Sequence, residues 1–239
     1  MRLRQVALVA RDLAAAERSI SDELGVELCF RDPGVAEFGL HNALFPIGES
    51  LLEVVSPTQD GTTAGRLLER RGGDGGYMVI LQVDDLDEAR RRIESHDVRI
   101  VFVAQVPGIT GLHLHPRDLG GAIVSVDQAD DWEEWQWAGP SWRDHVVRDT
   151  VTELLAVEIQ ADEPATMAER WSAVLGVPAA NVDGDPTITL DEGAIRFVRV
   201  SDGRGEGVRA VDVAAAPGVP ERSIELVGTI VNVVGKVRA

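Results

Sequence analysis

The chain has 239 residues, 44% of them hydrophobic, enough for one or two domains with a substantial core. Forty acidic residues against 23 basic ones give a net charge of -17, which excludes nucleic acid and anionic membrane surfaces as partners, because both recruit basic patches. The single cysteine, Cys29, excludes an internal disulfide, and the lack of a long apolar run or a basic-then-apolar leader gives the expectation of a cytoplasmic protein without a membrane span.

Taken in chain order, Leu3 to Ala10 reads as a strand. Asp12 then caps a helix whose apolar stripe is Leu13, Ala16, Ile20 and Leu24, and Gly25 ends it. Val26 to Phe30, Phe38 to Phe45 and Ser50 to Val55 read as three further strands, the last two joined by a turn at Ile47-Gly48-Glu49. Cys29 lies in an apolar run and reads as a small buried hydrophobe rather than a reactive thiol.

The same order returns. Gly75-Gly76 leads into a strand from Tyr77 to Val83, Asp85 opens a helix with Leu86, Ala89 and Ile93 inward, and Asp85 to Glu88 has capping-box spacing. Strands follow at Arg99 to Ala104, Ile109 to His115 and Ala122 to Asp127. A third copy runs from a strand at Leu154 to Gln160. Its helix opens at Asp162-Glu163-Pro164, buries Met167, Trp171, Val174 and Leu175, and stops at Gly176; strands at Thr187 to Leu190 and Ala194 to Val200 follow. Val208 to Val213 and Ile224 to Val234 read as a fourth, degraded copy. An internal repeat of strand, helix and three strands, with a period near 70 residues, is the expectation. Residues 1–128 would hold two modules, 129–150 a tryptophan-rich linker, and 151–239 the second half.

Within Ser50 to Val55, Leu51, Glu53 and Val55 share one face and Leu52 and Val54 the other. A carboxylate in a strand that is apolar on both sides has a partner or a use, so Glu53 is the leading candidate for chemistry. The linker holds Trp132, Trp135, Trp137 and Trp142, read as packing anchors in preference to walls of a ligand pocket. GGDGGY at 72–77 precedes a strand and lacks a phosphate loop's Lys-Ser/Thr, and RLLERR at 66–71 reads as a solvated connecting helix. His41, His96 and His145 carry no clear signal, the last two reading as surface residues.

The repeat, the RDL and DDL turns, LLEVVSP at 51–57 and HLHPRDLGGAIVSVD at 113–127 together resemble the vicinal oxygen chelate superfamily, whose members include glyoxalases, epimerases, extradiol dioxygenases and bleomycin-type resistance proteins. The resemblance implies an α+β fold of repeated βαβββ modules paired into curved mixed sheets around a cleft, acting on a small molecule as a monomer or homodimer. It also implies four ligand-bearing strand positions, which here fall on Gln5, Glu53, Met78 and Ser125. A thioether and a hydroxyl are poor metal ligands, and in the third copy the matching positions fall near Leu155 and Phe197, which would make any cleft there apolar. The expectation is therefore no resident cofactor, with ligand-binding residues Gln5, Met78, His113, His115 and Ser125. An alternative is a divalent Zn, Fe, Mn or Ni ion held by Glu53 with the His113 and His115 pair.

Two functions follow from the resemblance. One is metal-independent binding of a small organic ligand by the N-terminal half. The other is a lyase, isomerase or epimerase in which Glu53 removes a proton next to a carbonyl, with His113 as its partner.

Overall fold

The computed structural model describes residues 1–235. The last four residues of the expected second half, 236–239, lie outside the described residues. Module one comprises β1 (Arg2–Val9), α1 (Leu13–Leu24), β2 (Leu40–Ile47) and β3 (Ser50–Pro57), and is followed by α2 (Thr63–Arg71). Module two comprises β4 (Gly75–Gln82), α3 (Leu86–Ser95), β5 (Ile100–Val106), β6 (Ile109–Leu114), the single turn α4 (Pro116–Leu119) and β7 (Ile123–Ala129). Module three comprises β8 (Val151–Ala161), α5 (Pro164–Leu175), β9 (Ala179–Val182), β10 (Asp185–Thr189) and β11 (Ala194–Arg199). Among the described residues, module four has strands alone: β12 (Gly207–Ala215), β13 (Arg222–Leu226) and β14 (Thr229–Val234).

Local chemistry sets these boundaries. Asp12 accepts a hydrogen bond from the Ala15 N–H at 3.0 Å and Asp85 one from the Glu88 N–H at 2.8 Å, each satisfying an orphan donor of a first helical turn. Gly25 and Gly176 end α1 and α5 at φ 64° and 72°, where a side chain is disfavoured. The buried stripes of α1 and α3 are the expected ones, and α5 adds Ala168 to its expected four.

The strands form two mixed sheets of seven, in the orders β2-β3-β1-β4-β7-β6-β5 and β13-β14-β12-β8-β11-β10-β9. The repeat is explicit in the pairing. In every module the first strand runs parallel to the last: β1 with β3, β4 with β7, β8 with β11, and β12 with β14. In every module the last two strands are antiparallel. This is the expected α+β architecture of repeated βαβββ modules.

Two compact units result, and each takes one module from either half of the chain. One comprises Met1–Arg4, Met78–Gln136 and Ala156–Val208; the other comprises Gln5–Tyr77, Trp137–Leu155 and Arg209 onward.

Three expectations are corrected. Val26 to Phe30 is not a strand: its contact with β2 is a single bridge, Phe30 to Leu44. Asp32 accepts from the Gly34 N–H at 2.8 Å, which turns the chain into a 3-10 helix at Pro33–Phe38, so β2 starts at Leu40 rather than Phe38. Strand β9 was not expected, because Ala179-Ala180-Asn181-Val182 has no apolar alternation; its antiparallel pairing with β10 supplies the order.

Candidate functional site

The β2–β3 turn fixes what meets Glu53. With Ile47 opposite Ser50, Leu44 falls opposite Glu53 and Asn42 opposite Val55. On the other side of β3, Ala7 pairs with Glu53 and Gln5 with Leu51. Alternation then puts Gln5, Asn42 and Glu53 on one face. Gln5 Nε2 donates to Glu53 Oε2 at 2.8 Å, and Asn42 Nδ2 donates to Glu53 Oε1 at 2.7 Å. Asn42 is itself held, since its Oδ1 accepts from the Asp32 N–H at 2.8 Å.

The setting is apolar. Val9 and Val55, the next pair along the same face, pack with Leu40, Ala64 and Leu68, so α2 buries one side here instead of standing fully in solvent. Arg71 of α2 is buried too. Burial pushes the Glu53 pKa up, the two amide donors oppose that, and the nearby Asp32 charge adds to it. Tyr77 is pushed up to about 12, by burial first and then by the Glu53 charge, against the opposing pull of Arg66. The result is a carboxylate fixed by two neutral donors in a dry setting. Such a group can accept a proton from a weak carbon acid.

The other expected residues lie in the other unit. Ser125 pairs with Ile80 across β4–β7 and with His113 across β6–β7. Its hydroxyl donates to the buried Asp127 carboxylate. Gly111 faces Asp127 in the register, and a Cβ at Gly111 would lie 2.6 Å from the Asp127 carboxylate oxygen, so glycine leaves the acid its space. The His113 ring stacks at a tilt against Phe102, and burial lowers its pKa to about 4, which keeps it neutral at physiological pH. Met78 is buried at the start of the register, opposite Ile123. His115 caps α4: its Nδ1 accepts from the Arg117 N–H at 3.2 Å and lies 3.7 Å from Asp118.

The immediate neighbours of Glu53 do not suit a catalytic divalent ion, because both carboxylate oxygens already accept from the Gln5 and Asn42 amides, which present N–H donors toward it. Among the described residues, no three His, Cys, Asp or Glu side chains gather in a group that could hold a metal ion.

Of the remaining features, burial raises the Cys29 thiol to about 12, which suppresses the thiolate. Trp135 and Trp142 are fully buried, and Arg2, Arg4 and Arg143 stack on Trp132, Trp135 and Trp142, as packing anchors do. His41 is exposed, while His96 and His145 are partly exposed. Gly75 and Gly76 are buried inside β4. A crevice of about 270 Å³ lined by Asp12, Ala16, Ser19, Asp74, Glu225 and Gly228 contains none of the expected site residues.

The third module corrects the sequence reading. The N-cap of α5 is Glu163, one residue beyond Asp162. The positions matching Gln5 and Glu53 are therefore Ala156 and Arg196, not Leu155 and Phe197. Phe197 instead packs edge-on against Trp171 of α5. A one-residue slip exchanges the faces of a strand, and the opposite face of this module is polar.

Comparison with known proteins agrees with the topology. Residues 6–175 match the model of the glyoxalase-like domain family. Methylmalonyl-CoA epimerase from Bos taurus is 30% identical over 132 residues, covering 54% of this chain and 74% of its own. An ethylmalonyl-CoA/methylmalonyl-CoA epimerase from Cereibacter sphaeroides is 25% identical, covering 53% of this chain and 97% of its own. Among solved structures, a hypothetical protein from Staphylococcus aureus superposes with a TM-score of 0.75 at 12% identity, covering 98% of this chain and 99% of its own. A Streptomyces coelicolor methylmalonyl-CoA epimerase variant in complex with 2-nitronate-propionyl-CoA gives 0.50 at 20% identity, covering 55% and 99%. These likenesses and the fourfold β-strand pairing place the chain in the glyoxalase-like domain family of the vicinal oxygen chelate superfamily.

Proposed function

We propose that the protein catalyses proton abstraction at a carbon next to a thioester carbonyl, as an epimerase or isomerase acting on a small acyl thioester, with Glu53 as the general base. The observation that carries this reading is the buried Glu53 carboxylate, gripped at both oxygens by Gln5 and Asn42 in an apolar setting. Burial raises its proton affinity, and the amide pair fixes its direction. The epimerase relatives, one at 30% identity, support the substrate class. Simple sequestration of a small organic ligand is the competing reading of the same family.

The test is solvent exchange. Methylmalonyl-CoA incubated with the protein in D2O should gain deuterium at its α-carbon, and Glu53→Gln should lower that rate by about 100-fold or more. No exchange above background in the wild-type protein would overturn the reading. Saturable binding without exchange would leave sequestration in its place.

A further inference from the structure

Removing a proton next to a carbonyl moves charge onto the carbonyl oxygen, and a fixed donor aimed at that oxygen lowers the barrier. The Gln5 and Asn42 amides are turned to Glu53 itself. Tyr77 is placed to serve the substrate oxygen. It is the chain's single tyrosine and the third residue of β4, and it belongs to the same compact unit as Glu53.

Its position follows from packing. Val9 and Val55 pair across β1 and β3. They share the face of Glu53, which lies two residues before Val55. The Tyr77 side chain packs against the cluster that these valines form with Leu40 of β2 and with Ala64 and Leu68 of α2. The ring therefore lies on the Glu53 face, at the end that α2 covers.

Its hydroxyl is what a packing role does not use. Tyr77 is partly buried rather than sealed, and its O–H makes no hydrogen bond among the described residues. Buried phenols ordinarily find a partner for that group, and a phenylalanine would fill the same space. The phenol feels the charges of both Glu53 and Arg66. Arg66 is anchored at the start of α2 by the Gly61 carbonyl and the Thr63 hydroxyl. With a pKa near 12, Tyr77 keeps its proton at neutral pH, so it acts as a donor and not as a base.

We propose that Tyr77 is a second catalytic residue of the Glu53 site, its O–H donating a hydrogen bond to the thioester carbonyl oxygen as Glu53 takes the α-proton. This rests on the function proposed above. The α-C–H bond breaks and a Glu53 O–H bond forms. The released pair enters the bond between the α-carbon and the carbonyl carbon, and the carbonyl π pair moves onto oxygen, where the phenol holds the charge without losing its own proton. The flow reverses when the α-carbon takes a proton, or a deuteron in D2O, from the Glu53 carboxyl.

The experiment compares wild type, Tyr77→Phe and Glu53→Gln in the α-deuterium exchange of methylmalonyl-CoA. Tyr77→Phe keeps the ring and removes the donor, so kcat should fall by about 100-fold, with KM changed by less than about threefold. A second measurement leaves the site intact. With tyrosine labelled at ¹³Cζ, the wild-type protein gives one resonance, which should move saturably with methylmalonyl-CoA. An unchanged kcat in Tyr77→Phe, where Glu53→Gln has lost exchange, overturns the role of Tyr77 and leaves that of Glu53 standing. A labelled resonance that does not move at saturating substrate overturns it as well, whether or not Tyr77→Phe folds. No exchange in the wild type overturns both roles.

Discussion

Asn42 Nδ2 stands 2.7 Å from Glu53 Oε1, reaching from β2 to β3 along one face of the sheet. A hydrogen bond to an ionised carboxylate favours the charged form. Asn42→Leu keeps the size and removes the donor, so the Glu53 pKa should rise further. Infrared difference spectroscopy of the Glu53 C=O band against pH reads this directly. An unchanged midpoint in a folded variant would show that Asn42 has no electrostatic hold on Glu53.

The same carboxylate should limit stability. Its folded pKa lies above the unfolded value, chiefly through burial. For such an acid the folded state binds the proton more tightly, so its contribution to stability is complete below the unfolded pKa and is lost as pH rises through the folded one. At pH 7 Glu53 therefore costs stability. Glu53→Gln should be at least as stable as the wild type at pH 7 and relatively less favoured at pH 4. Urea denaturation at the two pH values checks the sign, and a variant equally destabilised at both would count against the burial argument.

What the sequence could and could not reveal follows from the range of each interaction. The caps at Asp12 and Asp85 and the exits at Gly25 and Gly176 are settled within a turn of chain, and they were legible. Glu53 was legible because a charge amid alternating apolar residues stands out. Asn42 was within reach: the tight turn after Ile47 fixes the register, and counting back from it places Asn42 beside Glu53. A strand taken from Phe38 to Phe45 starts and ends two residues before β2 does, which hides that register. The match of Arg196 to Glu53 was hidden by one residue of cap position. Asp162 looks like the cap, but Glu163 occupies the position without making a side-chain cap bond, and a slip of one exchanges the faces. Spacing alone makes His113 and His115 a pair, but the strand ends at Leu114 and His115 turns to cap α4.

His113 titrates in the opposite sense to Glu53. Burial lowers its pKa from 6.5 to about 4, so the unfolded chain binds the proton more tightly. Stability should fall as pH drops from about 6.5 toward 4, by up to about 3 kcal/mol from this residue. His113→Leu should remove that component. The fall in unfolding free energy between pH 7 and pH 4 should be smaller in the variant than in the wild type. An identical pH dependence in the two would show that the imidazole charges without cost where it stands.

The β13–β14 turn carries strain that its counterpart in module one avoids. Both hairpins have two-residue loops, Gly48-Glu49 and Val227-Gly228, and the first loop residue is left-handed in each, at φ 65° for Gly48 and 52° for Val227. A β-branched residue is disfavoured there, at a cost of about 1–2 kcal/mol. Gly228 cannot relieve this by exchange, because a Cβ at that position would fall 2.0 Å from the Asp74 carbonyl oxygen. Val227→Asn suits the left-handed conformation and should raise stability by about 1 kcal/mol, whereas Gly228→Ala should lower it by more than that. Thermal denaturation of the two variants gives opposite shifts on this account. A destabilised Val227→Asn would mean that the valine side chain contributes more through packing than its backbone costs.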